Sequence, residues 1–250
     1  FPSFSCHFLG AFLLGVFGFI GLAQAQMNHS SMAGALSSKP QACEGFGLDC
    51  ANAATPFLTK EGRLLLAWTS GGKVSVAQSA DLGKTFTSPI VVAELGKSLD
   101  AGSDARPQIV SDSKGNVFLA YAFFKDGNWN AQINTIRSSD GGLSFTAPTP
   151  LIKNGSSERF PSMVIGENNS IFLTWIDKRI VADAKKSGNA RLGGSIAYSF
   201  SNDFGKTFQP EKIANEQSCE CCRIGSSIDP RGGVAIVYRA IFPGGIRDHA

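Results

Sequence analysis

Ser79-Ala80-Asp81-Leu82-Gly83-Lys84-Thr85-Phe86, Ser138-Ser139-Asp140-Gly141-Gly142-Leu143-Ser144-Phe145 and Ser201-Asn202-Asp203-Phe204-Gly205-Lys206-Thr207-Phe208 are three copies of one pattern, S-x-D-x-G-x-[ST]-F. The recurrence is an internal repeat, the sign of a stacked or radial architecture. Each copy has the chemistry of a tight hairpin. The Asp carboxylate accepts bonds from N–H groups of its own turn, Gly supplies a positive φ, and Phe anchors the turn on the layer beneath. Ser79, Asp81, Gly83 and Phe86 therefore read as structural, as do Ser138, Asp140, Gly142 and Phe145, and Ser201, Asp203, Gly205 and Phe208.

A second signature precedes each copy and appears once more after the last. An alternating apolar strand runs from a turn residue to an aromatic six positions on, over 62–68, 115–121, 169–175 and 232–238, ending on Trp68, Tyr121, Trp175 and Tyr238. Upstream lies a short strand entered by Pro56, Pro107 and Pro161, and at the fourth station by Ile224. Third strands over 74–78, 132–137 and 195–199 lead into the Asp turn, and a fourth strand follows it. Four antiparallel strands per period of roughly fifty to sixty residues predict an all-β chain built from propeller blades. The 28 Gly and 11 Pro that punctuate these short segments argue the same way, against long helices.

The repeats are those of the Asp-box, or BNR, pattern, and residues 55–250 resemble the sialidase-like superfamily. The resemblance implies a six-bladed β-propeller of sialidase type with about four blades in this chain, which reads as a fragment with about two more beyond Ala250. It also implies an exo-glycosidase that hydrolyses terminal acidic sugars such as sialic acid from glycans. Sialidases hold the substrate carboxylate with three arginines, use an Asp as acid/base, and attack through a Tyr paired with a Glu. Here the first-blade R-I-P station is occupied by Ala54-Thr55-Pro56, and Arg106-Pro107 offers a shortened version one blade later. The alternative is a non-catalytic secreted propeller that binds a glycan, a protein or a soft metal such as copper.

Propeller geometry puts the residues before the first strand and after the second strand of each blade on one face, opposite the Asp turns. Arg106, Arg159 and Arg223 share the station before the first strand, and Arg239 follows a second strand, as do Lys125-Asp126 and Asp177-Lys178-Arg179. Guanidinium forks match a carboxylate bidentately, so these four arginines are the expected substrate-binding residues. Rim salt bridging is the bland alternative. Asp177 is the acid/base candidate by location.

Charge and histidine content narrow the remaining chemistry. With 23 Lys+Arg against 20 Asp+Glu the net charge is +3, too balanced to grip a nucleic-acid backbone. The only histidines are His7, His29 and His249, so no Ser-His-Asp triad or H-E-x-x-H zinc site can sit in the body of the chain. Gly-Lys-Thr at 83–85 and 205–207 lacks the earlier Gly of a phosphate loop, which would fall at Gln78 and Phe200. No cofactor is implied.

Residues 1–25 read as a signal peptide, an apolar run closed by Ala23-Gln24-Ala25, with an uncleaved anchor as the alternative. Export to a secreted or periplasmic location leaves no stable membrane insertion and makes the remaining cysteines disulfide candidates. Those are Cys43, Cys50, Cys219, Cys221 and Cys222, an odd number. Residues 26–54 read as a linker with a Cys-containing stretch, and Met27, His29 and Met32 in it are also soft-ligand types. Cys219-Glu220-Cys221-Cys222 reads as a clamp to Cys43 or Cys50, or else as a thiolate site compatible with Cu(I).

Overall fold

The residues that close the first hairpin of each repeat adopt the left-handed backbone that such turns demand: Gly62 (φ 84°), Gly115 (φ 82°), Asn169 (φ 58°) and Gly232 (φ 84°). The computed structural model describes residues 45 and 47–247 apart from 103, 154, 167, 190, 191 and 230. They belong to one compact unit, Cys43–Ala250. The proposed signal peptide, residues 26–44 of the linker and Cys43 lie outside the described residues.

Three four-stranded antiparallel sheets follow one another along the chain. The first holds β1 (Ala54–Leu58), β2 (Leu64–Ser70), β3 (Lys73–Ser79) and β4 (Ile90–Glu94), in that spatial order. The second holds β5 (Gln108–Ser111), β6 (Val117–Phe124), β7 (Ala131–Ser138) and β8 (Thr149–Pro150). In the third, β9 (Glu158–Ile165), β10 (Ile171–Asp177), β11 (Gly194–Ser201) and β12 (Lys212–Ser218) repeat the order, and β13 (Gly225–Ile228) with β14 (Val234–Val237) begins a fourth. Two of the prolines expected to open the first strands lie within them, Pro56 in β1 and Pro161 in β9. Both strands are sheet edges, where a missing N–H costs no ladder bond.

The three repeat hairpins fold alike. In the first, Ser79 Oγ accepts from the Gly83 N–H at 2.7 Å and donates to Asp81, whose carboxylate takes the Thr85 N–H at 2.8 Å and its hydroxyl at 2.6 Å. Ser138, Asp140 and Ser144, and Ser201, Asp203 and Thr207, make the same bonds. Bonds from the Thr85 hydroxyl and N–H hold the Asp81 carboxyl down at about 2. At Asp203 partial burial opposes the lowering, but the Thr207 bonds prevail and the value is again about 2.

The core lies between successive sheets. Val117, Leu119, Tyr121 and Ile136 of the second sheet meet Leu65, Ala67, Val74 and Val76 of the first. Phe118, Ala120 and Ile133 meet Leu173, Trp175 and Ala197 of the third. Trp68, Tyr121 and Trp175 lie inside the second strands, which run on to Ser70, Phe124 and Asp177; all three are fully buried, each burial contributing roughly 1.5–3 kcal/mol. One helix, α1 (Arg179–Lys186), interrupts the third sheet between β10 and β11 and has no buried residue. Among the described residues no helix is long and apolar enough to cross a membrane.

Candidate functional site

The three arginine stations converge. Ala105 next to Arg106, Phe160 next to Arg159 and Ile224 next to Arg223 join Ile176 and Ile196 in one buried cluster. The guanidinium carbons of Arg159 and Arg223 stand 4.2 and 3.9 Å from the centre of the Phe160 ring, which is held at φ 56°. Such approaches are cation–π contacts, worth about 0.5–2 kcal/mol each.

The guanidinium groups of Arg159, Arg223 and Arg239 already hold partners within the chain. Arg159 donates from Nε and Nη2 to both oxygens of buried Asp100, at 2.8 and 3.0 Å. Arg223 donates to Asp104 at 2.6 Å and to the Cys221 carbonyl at 2.7 Å. Arg239 bonds the Arg247 carbonyl through Nε. Arg106 is different: it is exposed, and its carbonyl accepts a bond from the Gln108 side chain.

Asp177 is fully buried, and its carboxylate is saturated by its own segment. It accepts from Trp175 Nε1 at 3.1 Å, from the Arg179 N–H at 2.8 Å and from Arg179 Nε at 3.0 Å, while Arg179 also pairs with Glu211. The acid/base candidate is therefore enclosed by its own segment. Glu158, its register partner across β9 and β10, is fully buried too, yet neither oxygen meets a donor in bonding geometry, Ile133 offering only a weak approach. Desolvation, aided by the Asp177 charge and opposed by Lys125, pushes its carboxyl up to about 7.

The feature missed in the sequence is Trp129. It lies in the 125–130 loop after β6, 64% exposed and at φ 62°. Its ring meets Phe124 edge-on at 5.0 Å, and the Arg159 guanidinium sits 4.9 Å from the other partner of that pair, Phe124. Trp129, Phe124, Lys97, Lys125 and Asp126 line a cavity of 380 Å³. Asp126 shapes the loop by accepting the Asn128 N–H and the Asn130 side chain at 2.8 Å each. The available signal was local: a lone Trp among Gly127, Asn128 and Asn130 has no apolar alternation to bury it.

The cysteine clamp differs from expectation. Cys219 is bonded to Cys222 within its own loop, Cys221 is a free, exposed thiol, and Cys50 is disulfide-bonded elsewhere. A three-residue separation closes this loop locally.

No protein-family model and no curated relative matches the sequence. Solved structures do resemble the chain. An α-L-arabinanase of Penicillium chrysogenum matches with TM-score 0.52 at 16% identity, over 79% of this chain and 59% of that one. An ulvan lyase matches with TM-score 0.53 at 12% identity over 78% and 48%, and an intramolecular trans-sialidase of Ruminococcus gnavus with 0.54 at 10% over 76% and 66%. The chain thus spans about three fifths of the length of the first of these. At such identities the likeness concerns the backbone: the chain has the sheet arrangement of propeller glycosidases, a fold that also carries lyase chemistry.

Proposed function

We propose that this chain is the glycan-binding part of an exported, sialidase-type propeller, six-bladed when whole, and that its ligand is an acidic sugar held on the mouth face. The observation that carries the reading is Trp129, an exposed indole fixed in a strained loop conformation beside two ammonium groups. Strain of this kind, about 1–3 kcal/mol, is kept where a side chain must be presented rather than buried. An indole face takes the apolar face of a pyranose ring, while Lys97 and the unengaged Arg106 suit a carboxylate or sulfate; the Lys125 ammonium, beside them, is held by the Gly155 and Ser156 carbonyls at 2.8 and 3.1 Å. Glycan-processing neighbours of three different chemistries support a sugar ligand without fixing the reaction.

Hydrolysis of a terminal acidic sugar, the enzymatic form of the reading, needs a proton donor within about 3 Å of the glycosidic oxygen. Asp177 is enclosed and saturated with donors, which favours binding over hydrolysis for the residues described. The test is calorimetric titration of the whole protein with sialic acid, a uronic acid and a neutral hexose. Preference for the two acids, reduced by Arg106→Ala, is expected. Equal affinity for all three overturns the reading.

A further inference from the structure

We propose that Cys219, Cys221 and Cys222, once the disulfide is reduced, form a three-thiolate site for a single Cu(I) ion. The three sulfurs lie within 4.8 Å of one another, with Cys219 and Cys221 at 3.5 Å. Metal–thiolate bonds of about 2.3 Å place the sulfurs of a trigonal site about 4 Å apart, so the loop needs only a small adjustment to enclose an ion.

The scaffold that holds the sulfurs does not depend on the disulfide. The Cys219 N–H bonds the Arg239 carbonyl at 2.9 Å, Ser218 bridges to Ala240, and the Ile241 N–H bonds the Gln217 carbonyl at 3.1 Å. The end of β12 is thereby clamped to the segment after β14, and Arg223 fixes the Cys221 carbonyl from the far side. Burial grades the three ligands: Cys219 is enclosed, Cys222 partly covered and Cys221 exposed, so an ion would enter from the Cys221 side.

Ligand number and softness select the metal. Among the described residues no fourth His, Cys, Asp or Glu joins the group, and Glu220 is turned away onto Lys178 at 3.1 Å. Structural zinc sites close with four protein ligands, whereas soft thiolates suit Cu(I). The chemistry balances with a dithiol reductant. Its two thiols become a disulfide as the Cys219–Cys222 bond opens to two thiols, and Cu(I) then displaces up to three thiol protons into solution. The oxidised loop, with a single free thiol, is the metal-free state of the same device.

The experiment uses full-length protein, reduced with a dithiol, freed of reductant without air and titrated with Cu(I) against a chromophoric Cu(I) chelator. One Cu(I) per chain is expected in the reduced form and none in the oxidised form. Cys221→Ser should lose at least the ~10–100-fold in affinity that even a supporting contact costs at a metal site. Since Cys221 is exposed and outside the disulfide, this variant should melt like the parent. Cys50→Ser should bind as the parent does, which removes the other disulfide from the account. Failure of the reduced protein to bind, unchanged binding in Cys221→Ser, or displacement of Cu(I) by equimolar Zn(II) each overturns the proposal. None of these outcomes touches the glycan reading, which rests on other residues.

Discussion

Arg159 closes a two-point fork on Asp100, a residue 59 positions earlier in the chain, and so ties the third sheet to the loop before the second. Asp100 is only 3% exposed, and Arg159 retains some contact with water. Removing one partner of a buried pair strands the other's charge. Asp100→Ala should therefore destabilise by about 3 kcal/mol, the low end for such pairs. Asp100→Asn should free the Arg159 fork at smaller cost and raise affinity for a carboxylate sugar. Denaturant unfolding and calorimetry measure the two effects; an Asn variant with weaker acidic-sugar binding would mean that the pair shapes the site without competing for the ligand.

The repeat hairpins are predicted to be scaffold. Asp203→Ala removes the acceptor for the Thr207 N–H and hydroxyl, and should lower the melting temperature by a few degrees. Acidic-sugar affinity in the folded variant should stay within twofold. Loss of binding without loss of melting temperature would put the hairpins on the ligand face. Because the native carboxyls of Asp81 and Asp203 lie at about 2, below the ordinary 3.8, their stabilisation is complete above pH 3.8 and disappears as pH falls through 2.

Glu158 works in the opposite sense. Its native carboxyl stands at about 7 against an ordinary 4.5, so between these values the folded protein holds a proton that the unfolded chain has released. Stability must then fall as pH rises from 4.5 to 7, by up to about 3 kcal/mol at 1.36 kcal/mol per unit. Glu158→Gln should flatten that stretch of the melting-temperature profile. A variant with the parent's slope would show that the carboxyl is already ionised near pH 5.

These contrasts explain what could be read from the chain alone. The hairpins around Asp81, Asp140 and Asp203 were legible because the Ser and Asp side-chain bonds that shape them span four residues or fewer. The second strands were legible because alternation ended on Trp68, Tyr121 and Trp175, all buried. Helix α1 was not, since it is a single eight-residue segment with no buried residue, set between two strands of one sheet. Nor were the Arg159–Asp100 and Arg223–Asp104 pairs, which join residues 59 and 119 positions apart. Equal stations in the sequence correspond to chain neighbours, Ala105, Phe160 and Ile224, that share one buried cluster. Station alone could not reveal that two of their forks were already closed.

The central claim rests on Trp129, and the protein carries its own probe for it. Trp68 and Trp175 are fully buried, so Trp129 is the tryptophan whose emission responds to a ligand at the mouth. The decisive measurement is a fluorescence titration of the whole protein with an acidic oligosaccharide and a neutral one of equal length. The account predicts a saturable change in emission with the acidic sugar, weaker or absent with the neutral one, and an affinity about tenfold lower by calorimetry in Trp129→Ala with an unchanged melting temperature. Unaltered emission with both sugars, or full acidic-sugar affinity in Trp129→Ala, contradicts it.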